Sequence, residues 1–143
     1  MVRLFCLGLA LSACASPPSA SSSAPAALQG AFVDDYGIRY AIGPDLWAQG
    51  ETARYHIVRW NAAERYAVAR NDTANTSDGG RWTRIDWVAL DGGEYAWAYC
   101  YAVYDAATEA DALAALPSGR DTPRTGCNGH PFSRMKRTRA APA

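Results

Sequence analysis

The chain has a single lysine, Lys136, and only two histidines. It has no apolar run of the roughly 20 residues that a membrane-spanning helix needs. Lysine scarcity leaves arginine to carry nearly all the positive charge. With 14 basic and 14 acidic residues the net charge is zero, so there is no bulk electrostatic case for a nucleic-acid partner. No Cys-x-x-Cys pair accompanies His56 and His130, which disfavours a zinc centre. Ser133 has no Gly-x-Ser-x-Gly around it, and nothing pairs His130 with a nucleophile. Asp72, Asn75 and Asp78 lack the spacing of a calcium loop. No metal, cofactor or catalytic set is therefore expected.

What is present begins with a leader. Met1-Val2-Arg3 is a short positive segment, and Leu4 to Leu11 is apolar but brief. It runs into Leu11-Ser12-Ala13-Cys14. A small residue before a cysteine in that context is the pattern of a bacterial lipobox, in which Cys14 takes the lipid after cleavage. Residues 1–13 are thus expected to be a signal peptide. Two or three acyl chains on Cys14, palmitate among them, would hold the protein at a membrane. Ala15 after the cysteine, in place of aspartate, points to the outer membrane, facing the periplasm. Residues 14–27 hold the lipidated cysteine and an Ala/Ser/Pro stretch without charge or periodicity. They read as a disordered linker reaching roughly 20 Å. The folded domain is expected over 28–135, and 136–143 as a basic disordered tail.

Between Leu28 and Tyr104 the pattern alternates strands and turns. RYHIVRW (Arg54 to Trp60) and RYAVARN (Arg65 to Asn71) flank a hairpin-length loop. RWTRIDWVAL (Arg81 to Leu90) turns at Asp91-Gly92-Gly93 into Glu94 to Tyr104. Asp105 is placed to cap a helix over Ala106 to Leu116, which Pro117 stops. Phe132 to Met135 is a candidate last strand. The fold class is mainly β (α+β): an antiparallel meander forming a small curled sheet or partly closed barrel, with one helix packed on it late in the chain.

Pairing Leu90 with Glu94 sorts the hairpin by face. Tyr95, Trp97, Tyr99, Tyr101 and Val103 join Thr83, Ile85, Trp87 and Ala89 on one side. Ala96, Ala98, Cys100 and Ala102 face Trp82, Arg84, Asp86 and Val88 on the other. The small-residue side suits a closely packed helix; the aromatic side suits a core, each buried ring contributing about 2–3 kcal/mol. Arg84 and Asp86, two apart, read either as a structural ion pair under the helix or as a polar anchor for a ligand. Trp47, Trp60 and Trp82 read as core, or as an exposed surface for a sugar or peptide.

Of four cysteines, Cys6 leaves with the leader and Cys14 carries lipid. Cys100 and Cys127 remain in an oxidising compartment, where one disulfide is the simplest outcome. A reactive or metal-binding pair is the alternative.

The segments Trp82-Thr83-Arg84-Ile85-Asp86-Trp87, Tyr99-Cys100-Tyr101-Ala102-Val103-Tyr104-Asp105-Ala106 and Gly126-Cys127-Asn128-Gly129-His130-Pro131-Phe132-Ser133 carry a resemblance. Over most of Leu28 to Met135 the chain resembles a group of small bacterial lipoproteins of unknown activity. The resemblance implies that both cysteines and the aspartate between aromatics belong to a shared framework. It implies no substrate and no catalytic residue. Lipoprotein lysozyme inhibitors are similar in size, but their serine-glycine and lysine-glycine loop segments are not found here.

The functional expectation is a lipid-anchored cell-envelope protein acting as a non-enzymatic binding module. It would meet an envelope protein or small ligand, and the membrane through its lipid. The alternative is a carrier of small apolar ligands, with Trp87, Trp97 and Tyr99 lining a pocket and Asp86 beside it. An envelope enzyme or enzyme inhibitor ranks below both.

Overall fold

The computed structural model describes residues 21–139. The leader, Cys14 and the first part of the linker lie outside them, as do residues 140–143. Eight antiparallel strands follow one another around a closed barrel: β1 (Gly30–Asp34), β2 (Arg39–Ile42), β3 (Leu46–Gln49), β4 (Ala53–Asn61), β5 (Tyr66–Asn71), β6 (Trp82–Ala89), β7 (Trp97–Ala106) and β8 (Ser133–Arg137). β8 closes the ring on β1, with Phe32 opposite Arg137 and Asp34 opposite Met135. Closure leaves no sheet edge along the paired strands. One helix, α1 (Glu109–Ala114), packs outside, over β5, β6 and β7.

Alternation in short strands builds the interior. Phe32, Tyr40, Ile42, Trp47, Tyr55, Ile57, Trp60, Ile85, Trp87, Trp97, Tyr99 and Met135 form one buried cluster. A bulge in β4 between Ile57 and Arg59 skips Val58, so that Ile57 and Trp60 both point inward.

The β6–β7 hairpin keeps the expected faces but not the expected partner residues. Leu90 does not pair with Glu94. Ala89 lies opposite Trp97, Trp87 opposite Tyr99, and Asp86 opposite Cys100. The connection is longer than a tight turn, closed by the Leu90 amide donating to the Ala96 carbonyl at 2.9 Å. The register differs by two residues, and an even shift preserves every face. Beyond Arg84, extra residues in β7 put Val103 opposite Arg84 and Ala106 opposite Trp82. Val103 thereby moves to the outer face, against Tyr66, Val68 and Ala112. Tyr95 precedes β7 and stays out of the core, with the guanidinium of Arg134 4.7 Å from its ring centre.

The helix is shorter than its composition suggests. β7 continues through Asp105 to Ala106, so Thr108 is the cap, its Oγ1 accepting from the Asp111 amide at 3.1 Å. It covers Tyr66, Val68 and Val103. The alanine floor lies under a different element: Ala98 and Cys100 pack against Val88, Phe132 and Cys127. The loop before Phe132 folds tightly because residue 126 is glycine. A Cβ there would lie 1.9 Å from the Gly119 carbonyl oxygen.

Ordered contacts begin before Leu28. The Ser22 amide donates to Trp60 O at 2.8 Å, on the stretch of β4 that β3 does not reach. Residues 26–28 form a 3-10 turn that sets Leu28 in the core. At the other end Lys136 and Arg137 belong to β8, and the Thr138 amide donates to Ala31 O at 2.9 Å.

Candidate functional site

The aromatic residues singled out in the sequence lie in the barrel interior. Trp87, Trp97 and Tyr99 are all buried. Trp97 meets Trp47 edge-on at 5.9 Å and Phe32 at 5.2 Å; Trp87 meets Trp60 at 5.8 Å. Edge-to-face contact at these distances is favourable packing between rings. Trp47 and Trp60 are core; Trp82 is half-buried at the outer cluster, 5.9 Å from the Arg70 guanidinium. The indole N–H groups of Trp47 and Trp97 have no hydrogen-bond acceptor among the described residues.

One end of the interior is polar. Tyr40 donates to Asp34 Oδ2 at 2.9 Å, and its oxygen sits 2.6 Å from that of Tyr99. Asp34 Oδ1 accepts the Tyr36 and Ile38 amides at 2.9 and 2.8 Å, which forms the β1–β2 turn. Tyr101 donates to Gln49 Oε1 at 2.7 Å. Lost hydration is the main influence on these phenols. It pushes Tyr99 up to about 12, against hydrogen bonds from Tyr40 and Ser133 that act downward. Burial likewise pushes Tyr55 up to about 12, and Tyr40 and Tyr101 well above the ordinary tyrosine range. All four stay protonated, hence donors, at neutral pH.

Asp86 is fully buried on the outer face, under the connection that follows α1. Its Oδ1 accepts from Arg84 Nε at 2.9 Å and lies 3.3 Å from Arg120 Nη2; its Oδ2 accepts from the Ser118 amide at 2.6 Å. Arg84 also donates to the carbonyls of Leu113 and Ala115, both at 3.2 Å, at the end of α1. Arg120 donates to Trp87, Glu64 and Arg65 carbonyls, and burial lowers its pKa. Asp86 is thus tied into a structural network of two arginines.

Cys100 and Cys127 form a disulfide, Cα to Cα 5.5 Å, joining β7 to the Cys127–His130 turn. His56 Nε2 donates to Asp72 Oδ2 at 2.7 Å on the surface. The Asp72 carboxyl is held low chiefly by the Ala74 amide, then by His56. Among the described residues no group of three or more His, Cys, Asp or Glu side chains converges to hold a metal.

No family model matches the chain, and no curated protein or solved structure matches it.

Among the described residues, two surface grooves combine tyrosine and polar side chains. One, of about 510 Å³, is lined by Asp35, Tyr36, Leu90, Pro123, Arg124, Pro131, Phe132 and Arg134. Tyr36 is 69% exposed there. Arg134 is paired with Asp35 at 3.0 Å, whereas the exposed Arg124 has no side-chain partner among the described residues. The second, of about 480 Å³, opens beside the disulfide and includes Tyr99, Tyr101 and Tyr104.

Sequence reasoning missed Tyr40, Asp34, Gln49 and Arg120. For Tyr40 the signal was there: in RYAI it shares parity with Ile42, and β2 buries both. Asp34 stands before a Gly-containing turn, where a side chain bonding two amides ahead is common. Arg120 had no signal, because it sits in a loop whose path only the fold defines.

Proposed function

We propose that the protein is a lipid-anchored component of the bacterial cell envelope and a non-enzymatic binding module, meeting its partner on the outside of the barrel. The observation that carries this is how the aromatic residues are divided. The large rings of Trp47, Trp87, Trp97 and Tyr99 pack against one another inside. Tyr36 stays out, beside Pro123, Pro131 and an unpaired Arg124. Exposed tyrosine and arginine around an apolar floor are the side chains that carry most binding energy at protein interfaces. The expected leader over residues 1–13, followed directly by Cys14, supports anchoring through lipid, in the outer membrane facing the periplasm. The resemblance to small bacterial lipoproteins agrees with that location.

The carrier alternative draws on one observation. The indole N–H groups of Trp47 and Trp97 lack acceptors, and a ligand oxygen would satisfy them. Their rings already meet each other and those of Phe32 and Tyr99 edge-on, as packed core side chains do. The interaction module is therefore preferred.

The test combines two substitutions in intact cells. Cys14→Ala should move the protein from the membrane to the soluble fraction. A photocrosslinking residue at Tyr36 should give a discrete adduct that one at the exposed Ala63 does not. Membrane retention of the Cys14 variant defeats the anchoring claim. Equal or absent adducts at both positions defeat the binding face.

A further inference from the structure

β7 outruns β8. It pairs with β8 only through Trp97, Ala98 and Tyr99, and continues to Ala106. The uncovered half of β7 leaves a notch of about 480 Å³ at the polar end of the barrel, within the usual range for small-molecule sites. The notch is rigid. Its floor is Tyr99, fixed through Tyr40 to Asp34. One wall is the Cys127–His130 turn, closed by reciprocal backbone hydrogen bonds of 3.0 and 2.8 Å and tied to β7 by the disulfide. Asn128, at the positive φ of 51°, is held in place by its Nδ2 donating to Tyr101 O at 3.3 Å.

The groups left over define the ligand. Gln49 Oε1 is taken by Tyr101, so its amide N–H₂ has no protein acceptor among the described residues. Asn128 Oδ1, the His130 ring and the Tyr104 hydroxyl also have no hydrogen-bond partner among the described residues. The Tyr104 ring is 53% exposed at the rim. No lysine, arginine or carboxylate lines the notch. An anion would find neither lysine nor arginine, and a cation no carboxylate. An apolar ligand would cover Gln49 and Asn128 without pairing them, leaving polar groups stripped of water and unsatisfied. A neutral molecule offering both donors and acceptors, with a C–H face to lie on Tyr104, satisfies all of them. We propose that this notch is a binding site for a neutral saccharide of one or two rings. It is separate from the groove at Tyr36, so its failure would leave that proposal untouched.

The test is two-dimensional amide NMR on the full chain, in a zwitterionic detergent with no sugar headgroup. Di-N-acetylchitobiose, cellobiose and maltose are titrated to about 10 mM, a concentration at which millimolar sites are read. At least one sugar should shift Gln49, Tyr101, Asn128 and His130 in a saturable way. Tyr104→Ala and Gln49→Ala should each weaken that binding about tenfold, or about 1.4 kcal/mol, while Tyr36→Ala leaves it unchanged. The proposal is overturned if no sugar shifts these residues. It is equally overturned if the shifts survive both notch variants, centre on Tyr36, or are matched by inorganic phosphate.

Discussion

The hydroxyl oxygens of Tyr40 and Tyr99 lie 2.6 Å apart inside the barrel, although 59 residues separate them in sequence. Tyr40 passes its own proton toward Asp34, so the pair joins β1, β2 and β7 through one buried chain. Such a chain depends on phenols that keep their protons.

Alkali should therefore unfold this barrel. Burial raises Tyr99 and Tyr55 to about 12 in the folded protein, against about 10 in the unfolded chain. Below pH 10 both states hold the proton and stability is unaffected. Above it the unfolded chain ionises first and binds fewer protons, so stability falls until the native phenols ionise near 12. The loss is on the order of 2–3 kcal/mol for each ring. Urea midpoints should be flat approaching pH 10 and decline from 10 to 12. Tyr55→Phe should soften the decline. A midpoint constant to pH 12 would contradict the buried phenol cluster.

Asp86→Ala leaves Arg84 and Arg120 buried without their shared carboxylate. Breaking a buried ion pair on one side typically costs about 3–5 kcal/mol. His56→Ala, which breaks an exposed pair with Asp72, should cost less than about 1 kcal/mol. Thermal unfolding of the two variants should differ widely. Equal midpoints would mean that the Asp86 network does not hold the 113–120 segment in place.

Intact-mass analysis of the protein under non-reducing conditions should show the two hydrogens lost to the Cys100–Cys127 bond. Replacing both cysteines by alanine should lower stability by roughly 3–4 kcal/mol, as for a loop of this length. Alkylation of Cys100 in the untreated protein would count against the pairing.

Much of the barrel could be read from period-two alternation. Ile85, Trp87, Trp97 and Tyr99 face inward as expected because face assignment survives any even shift in register. What alternation cannot supply is the location of extra residues. The bulges past Arg84 turned Val103 outward, and they depend on how β7 curves around the barrel rather than on local composition. The helix was overestimated for a related reason. Alanines favour helix, but pairing with β6 holds Ala106 in the strand until Thr108 caps. The disulfide was expected from the cysteine count and an assumed oxidising compartment, whereas the notch was invisible. It arises from β8 stopping short of β7, and from Gln49 and Asn128 arriving from distant parts of the chain.

The central claim is that the indole rings of Trp47, Trp60, Trp87 and Trp97 are the core of the barrel and not the wall of a ligand pocket. Urea unfolding of Trp97→Ala tests it most directly, since Trp97 touches Phe32 and Trp47 and is buried. A filled core predicts a loss of about 3–5 kcal/mol. A change below about 1 kcal/mol, together with loss of binding to an apolar ligand, would contradict the claim and establish the carrier.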